Sequence, residues 1–375
     1  MAEPLPSQPP SNGIRVLLVD DSAVVRGLMM RWLNEEPGIE IVGIATNGRE
    51  AITLAQSSKP DVMVLDVEMP QLDGIGAIPQ VLAAAPGVRI LMASTLTQRN
   101  AEITIKALSL GAADYLPKPE TGKISGAADF KRDLIGRIRA LGGRRRTAPP
   151  PMRPAPTVAP AASGSVAAPS RQPSGLRPPL RKAAEILVIG SSTGGPQALN
   201  RVIAAIGGRI RVPVLIVQHM PAMFTAILAE HLNKLTPASV SEAKDGLPIK
   251  PGAIYIAPGD FHMRVQRRHG AAVMTLDQSP PVNFCRPAVD PLFTSAAEIY
   301  GSSVLGLVLT GMGSDGKRGA EAIVERGGAV VAQDEASSVV WGMPGAVTNA
   351  GLVCAVKPIE EIGPAMLAYA EGRSL

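Results

Sequence analysis

Apolar residues recur along this chain in short blocks that break off at polar ones. "IRVLLV" at 14–19 runs into Asp20 and Asp21, "DVMVLD" at 61–66 closes on Asp66, and "VRILMAS" at 88–94 closes on Ser94. Short, wholly apolar runs are the pattern of strands buried on both faces of a parallel sheet. Between them lie stretches of helical period. "SAVVRGLMMRWLNEE" begins with Ser22 placed as a cap, "GREAITLAQSS" follows the strand "IEIVGIA", and "AEITIKALSLGA" aligns Ala101, Ile105, Leu108 and Ala112 on one face. "ADYLPKP" adds a last short strand and a turn, and Pro79 is expected to kink the helix that follows "LDGIGAI".

The second half repeats the scheme. Strands are predicted at "EILVIG", "VPVLIVQHM", "AIYIAPG", "SVLGLVLT" and "AVVAQD", with helices at "PQALNRVIAAIG", "FTAILAEHLNKL", "VDPLFTSAAEIY" and "RGAEAIVERGG". "AAVMTLDQS" reads as an antiparallel strand, and His269 beside Arg267 and Arg268 as a hairpin turn. Between the halves, residues 144–184 are rich in Pro, Ala, Ser and Arg without usable periodicity, and bury too little to repay the entropy of ordering. The expected organisation is a disordered N-terminus 1–13, a unit over 14–140, a flexible linker 141–184 and a second unit over 185–372. The expected fold class is α/β, with two doubly wound open sheets.

Composition narrows the function. Aromatic residues make up only 3% of the 375, which argues against a stacking platform for single-stranded nucleic acid. The net charge of +5 is concentrated in Arg144, Arg145, Arg146, Arg153, Arg171, Arg177, Arg181 and Lys182, which makes a basic tether rather than a basic face. No nucleic-acid partner is expected. Two cysteines, Cys285 and Cys354, provide no disulfide framework and read as small core residues. "MAEPLPSQPPSNG" lacks an apolar signal core, so the expectation is a cytoplasmic protein, with nothing arguing against a monomer.

Polar residues at strand ends carry the candidate chemistry, because sites in open α/β sheets form beyond the carboxyl ends of the strands. In the first unit Asp20, Asp21 and Asp66 converge with Ser94 and Lys118. Crowded carboxylates repel unless a cation joins them, and oxygen ligands suit Mg²⁺. In the second unit "GSSTGG" lacks the lysine of a phosphate loop and the spacing of a dinucleotide fingerprint. Its glycines permit a sharp strand-to-helix turn that lifts a serine above the sheet, with backbone N–H groups nearby to hold negative charge. His219 follows "VPVLIVQ" and Asp315 follows "SVLGLVLT", so hydroxyl, imidazole and carboxylate emerge at one sheet edge. Ser191 rivals Ser192 as nucleophile and His262 rivals His219 as base; spacing alone does not separate them.

These motifs resemble known families. Residues 14–140 are similar to a response-regulator receiver domain. The resemblance implies Asp66 as phospho-acceptor, Asp20 and Asp21 as the acidic pair around Mg²⁺, and Ser94, Tyr115 and Lys118, before Pro119, as switch residues. Residues 185–370 resemble the catalytic domain of the chemotaxis protein-glutamate methylesterase family through "GSSTGG", "QHMP", "IAPGDFH", "RPAVDPLF" and "TGMGSDG". Ala288 stands where the family's "RPSVD" has serine, and Cys285 and Pro291 are less typical neighbours. The resemblance implies Ser192 as nucleophile, His219 as base, Asp315 as orienting acid, the backbone of Met312 as oxyanion donor and Thr193 in the oxyanion region, with no cofactor for ester hydrolysis. It also implies methyl-accepting chemotaxis receptors as substrate, glutamine deamidation as a second activity and a chemotaxis histidine kinase as phosphodonor. A response regulator with a non-catalytic nucleotide- or protein-binding output unit is the alternative.

Overall fold

A computed structural model describes residues 13–95, 97–118, 127–143, 175–180 and 182–373. Residues 1–12, most of the expected linker and Pro119 lie outside the described residues. The first unit alternates strand and helix: β1 Ile14–Val19, α1 Ala23–Asn34, β2 Ile39–Ala45, α2 Gly48–Ser58, β3 Val62–Asp66, α3 Gly74–Ala84, β4 Arg89–Thr95, α4 Gln98–Ser109, β5 Asp114–Lys118 and α5 Ala127–Gly142. Its five strands pair in parallel in the order β2-β1-β3-β4-β5. The starts of α1 to α4 follow from local caps, since the first N–H groups of a helix need acceptors. Ser22 accepts from Val25, Asn47 from Arg49 and Glu50, Asp73 from Gly76 and Thr97 from Asn100. Pro79 lies inside α3, which continues to Ala84.

The second unit runs β6 Ile186–Ser191, α6 Gly195–Ile206, β7 Val214–Gln218, α7 Ala222–Asn233, β8 Val240–Glu242, β9 Ile254–Ile256, β10 His262–Arg268, β11 Ala271–Asp277, α8 Val289–Tyr300, β12 Val304–Val308, α9 Lys317–Glu325, β13 Ala329–Gln333, α10 Met343–Asn349, β14 Ala355–Lys357 and α11 Ile359–Ala370. Seven strands form one parallel sheet in the order β14-β13-β12-β6-β7-β9-β8, and β10 pairs with β11 as a separate antiparallel hairpin turning at His269 and Gly270. The central strands β6, β7, β12 and β13 are buried along their whole length, as helices on both faces require. Arg177 donates its backbone N–H to Val353, and Leu180 is buried against this unit.

The units pack together. α4 of the first lies against α6 and α7 of the second, and one apolar core runs through both, from Leu17 and Met92 to Leu187 and Phe224. Among the described residues no helix is long and apolar enough to cross a membrane.

Candidate active site

The register of the second sheet brings three chain segments to one edge. Ser191 pairs with Gln218, so Ser192 and His219 are the next residues on neighbouring parallel strands, and the His219 N–H donates to the Ser191 carbonyl at 3.1 Å. On the other side of β6 lies β12, whose continuation runs through Thr310 and Gly311 to Asp315. The turn after β6 needs glycine: Gly194 adopts φ +77° to open α6, and a side chain there would strike Val339. Gly311 is needed for close approach, since an added Cβ would lie 2.9 Å from the Ser192 Cβ.

Asp315 is buried and well supplied with donors. Its oxygens accept from Val289 N–H at 2.6 Å, Asp290 N–H at 3.2 Å and Gly316 N–H at 3.0 Å, and from Asn283 Nδ2 at 3.1 Å. Two of these N–H groups open α8, where the helix dipole favours an anion. Burial alone would raise its pKa, but His219 and these N–H donors outweigh that and hold the carboxyl below the usual range. Asp290 beside it is pushed up to about 6, by burial first and by the charge of Asp315, against the Gly319 N–H it accepts from.

His219 Nε2 meets Asp315 Oδ2 at 2.8 Å, and its Nδ1 faces the Cys285 sulfur at 3.4 Å. Burial disfavours the imidazolium, yet the neighbouring sulfur and carboxylate win and push the imidazole up to about 10. The expected imidazole–carboxylate link is present. Among the described residues no hydrogen bond joins Ser192 Oγ to His219, because the ring's second nitrogen is turned to Cys285. Catalytic hydrogen bonds are commonly long before substrate binds. Cys285 is therefore not the core residue its sequence context suggested; it is half-buried at the site, whereas Cys354 is buried.

The rivals have other occupations. Ser191 is fully buried and donates to Gln218 Oε1 at 2.7 Å, and Gln218 Nε2 donates back to the Ser192 carbonyl at 3.0 Å. His262 is fully buried, with Nδ1 accepting from Ala288 N–H and Nε2 against the Pro280 carbonyl. Among the described residues the N–H groups of Thr193 and Met312 find no acceptor, so both are available to a developing oxyanion.

At the edge of the first sheet, Asp20, Asp21 and Asp66 each offer an oxygen, all within 4.8 Å of one another. Lys118 Nζ lies 2.7 Å from Asp20 and 2.8 Å from Asp66, and Ser94, 1% exposed, shares a hydrogen bond with Thr104. A cavity of about 160 Å³ opens beside Asp21, Asp66, Ser94 and Lys118. Burial pushes the Asp66 carboxyl up to about 6, the charge of Asp20 adds to the rise, and Lys118 opposes it. Three acids facing one cation of the chain form a hard-oxygen set that fits a divalent ion.

The two edges are joined by residues the motifs did not flag. Asp114 Oδ2 accepts from the Thr193 hydroxyl at 2.6 Å and pairs with Arg137, while Gln197 donates to the Ala112 carbonyl. Tyr115, buried, stacks on Phe224 of α7 with ring centroids 4.6 Å apart. The residue after the candidate nucleophile is thus held by the strand that carries Tyr115 and Lys118. Only the adjacency of Asp114 to Tyr115 hinted at this.

An acid-lined parallel sheet joined to a second sheet whose edge carries hydroxyl, imidazole and carboxylate is the arrangement of a receiver linked to a hydrolase unit. Comparison with known proteins agrees: the CheB methylesterase model matches residues 187–366 and the response regulator receiver model residues 16–126. The protein-glutamate methylesterase/protein-glutamine glutaminase of Maricaulis maris is 48% identical over 99% of this chain and 100% of its own. That of the group 2 operon of Rhodopseudomonas palustris is 54% identical over 94% of this chain and 93% of its own. The catalytic domain of Thermotoga maritima CheB methylesterase, a solved structure, is 43% identical over 49% of this chain and 98% of that one, with a TM-score of 0.48. The chain belongs to the CheB methylesterase family, in its receiver-linked form.

Proposed function

We propose that this protein is a protein-glutamate methylesterase and protein-glutamine glutaminase in which Ser192, His219 and Asp315 hydrolyse γ-glutamyl methyl esters of chemoreceptors. The observation that carries the residue assignment is the Ser192 side chain, without a hydrogen-bond partner among the described residues and next in register to His219, whose ring is fixed on Asp315 at 2.8 Å.

His219 Nδ1, once released from Cys285, accepts the Ser192 proton as Oγ attacks the ester carbonyl. The resulting oxyanion is held by the N–H groups of Thr193 and Met312. The intermediate collapses, the C–O bond to the methoxy group breaks, and His219 returns the proton to give methanol. Water, activated by the same imidazole, then attacks the acyl-enzyme and frees the glutamate. A glutamine amide follows the same course and releases ammonia. Asp315 keeps the ring oriented and balances its charge.

The proposed units are the receiver over 14–140 and the esterase over 185–372, with 141–184 as tether. Asp66 accepts a phosphoryl group from a histidine kinase in the cytoplasm, and Asp20, Asp21 and Asp66 are the residues that would hold Mg²⁺, which neutralises charge in that transfer. While unphosphorylated, the receiver restrains the esterase through Asp114 on Thr193 and Tyr115 on Phe224. Phosphorylation repacks Ser94 and Tyr115 and releases that hold. The test is methanol release from methyl-labelled receptor membranes, with and without a phosphodonor. Wild type releases methanol faster with phosphodonor; equal release by wild type, Ser192→Ala and His219→Ala would contradict the assignment.

A further inference from the structure

Val282 and Cys285 exchange both backbone hydrogen bonds, at 3.0 and 2.9 Å, closing a two-residue turn over Asn283 and Phe284. Both central residues lie at positive φ, 51° and 63°. Such turns favour Asn then Gly, and an aromatic side chain at the second position is strained. Asn283 fits the rule and Phe284 breaks it. The ring gains nothing in return from the fold, for Phe284 is 96% exposed.

The turn is held on the catalytic machinery at both ends. Asn283 Nδ2 donates to Asp315 at 3.1 Å and reaches Asp290 at 3.3 Å, and Cys285 abuts His219. Phe284 is therefore an apolar ring carried at a fixed position beside the triad, where strain is tolerated for a purpose outside folding. The described receiver residues meet other segments of the second unit: Asp114 meets Thr193, Val339 and Val340 join the receiver core, and Gly136 approaches Met312. A further exposed apolar side chain, Met223, stands at the start of α7 just past His219.

We infer that Phe284 is a specificity-determining residue, docking on apolar side chains that flank the methylated glutamate of the substrate. This rests on the proposed esterase reading, since the turn abuts His219 and Asp315 and bears on turnover only if they process the ester. Docked as a helix, the substrate segment would present such side chains three and four residues from the reacting glutamate, in reach of one anchoring ring.

The test uses the full-length protein with phosphodonor and two substrates, methyl-labelled receptor membranes and a small soluble acetate ester. Phe284→Ala is expected to lower kcat/KM on receptor about tenfold, mainly through KM, as loss of an aromatic anchor does, and to leave the small ester within about twofold. Phe284→Gly should lose the same receptor activity while melting no lower than wild type, because glycine relieves the positive φ. Wild-type receptor turnover by both variants would overturn the inference, as would an equal loss on both substrates, which would make the turn a support for His219. Ser192→Ala in the same assay tests the underlying reading separately: if it keeps small-ester hydrolysis, that reading fails whatever Phe284 does.

Discussion

At the carboxyl edge of the receiver sheet, Lys118 bridges Asp20 and Asp66 within 2.8 Å, so two buried acids share one cation of the chain. At the matching edge of the esterase sheet, His219 and Asp315 are joined, while among the described residues the Ser192 hydroxyl and the N–H groups of Thr193 and Met312 have no hydrogen-bond partner. The same architecture serves two kinds of chemistry. One edge gathers negative charge, as the proposed phosphoryl transfer to Asp66 requires; the other carries the donors proposed to hold charge that exists only during the reaction. Asp114 connects them, standing three residues before Pro117 in β5 yet reaching the hydroxyl of Thr193.

The sharpest way to separate the two edges is to disable each alone. Ser192→Ala should lower receptor demethylation about a million-fold, as loss of a serine nucleophile does, while leaving uptake of phosphate from a small phosphodonor at Asp66 unchanged. Asp66→Asn should do the reverse: esterase turnover without phosphodonor stays at the wild-type basal rate, and stimulation vanishes. Stimulation surviving in Asp66→Asn would place the phospho-acceptor elsewhere.

Weakening the link comes next in size. Asp114→Asn removes the charge that holds Arg137 and Thr193, and should raise unstimulated esterase activity roughly 5- to 30-fold, the effect of losing 1–2 kcal/mol of docking. A fall in basal activity would mean that Asp114 supports the site instead of restraining it. The smallest expected effect is on pH. The base must be unprotonated, and the His219 pKa is pushed up to about 10, so kcat/KM should climb with pH towards that value. Cys285→Ala removes a contributor to the rise, and should move this limb to lower pH by about one unit. An unmoved limb would show that Asp315 alone sets it.

Much of this was legible in the chain because strand ends are. Asp20, Asp66, Ser94, His219 and Asp315 each follow an apolar run, and a parallel sheet carries the ends of such runs to one edge. The fold class, the cap at Ser22 and the hairpin at His269 follow from equally local signals. What the sequence hid depends on side chains meeting across long separations. Asp114 and Thr193 meet only because α4 packs on α6 and α7. Cys285 reads as a small apolar residue until the turn at Asn283 and Phe284 directs it to His219, and that turn lacks the glycine that would announce it. Spacing alone leaves Ser191 and Ser192 equal; the family resemblance points to Ser192, and the structure adds that Gln218 occupies Ser191.

The central claim is that Ser192, among several candidate nucleophiles at this edge, forms the covalent intermediate. Labelling the phosphodonor-activated protein with a fluorophosphonate and locating the adduct by peptide mass spectrometry tests it most directly. The account predicts a single adduct on Ser192, lost in His219→Ala; an adduct on Ser191 or Cys285 with Ser192 unmodified would contradict it.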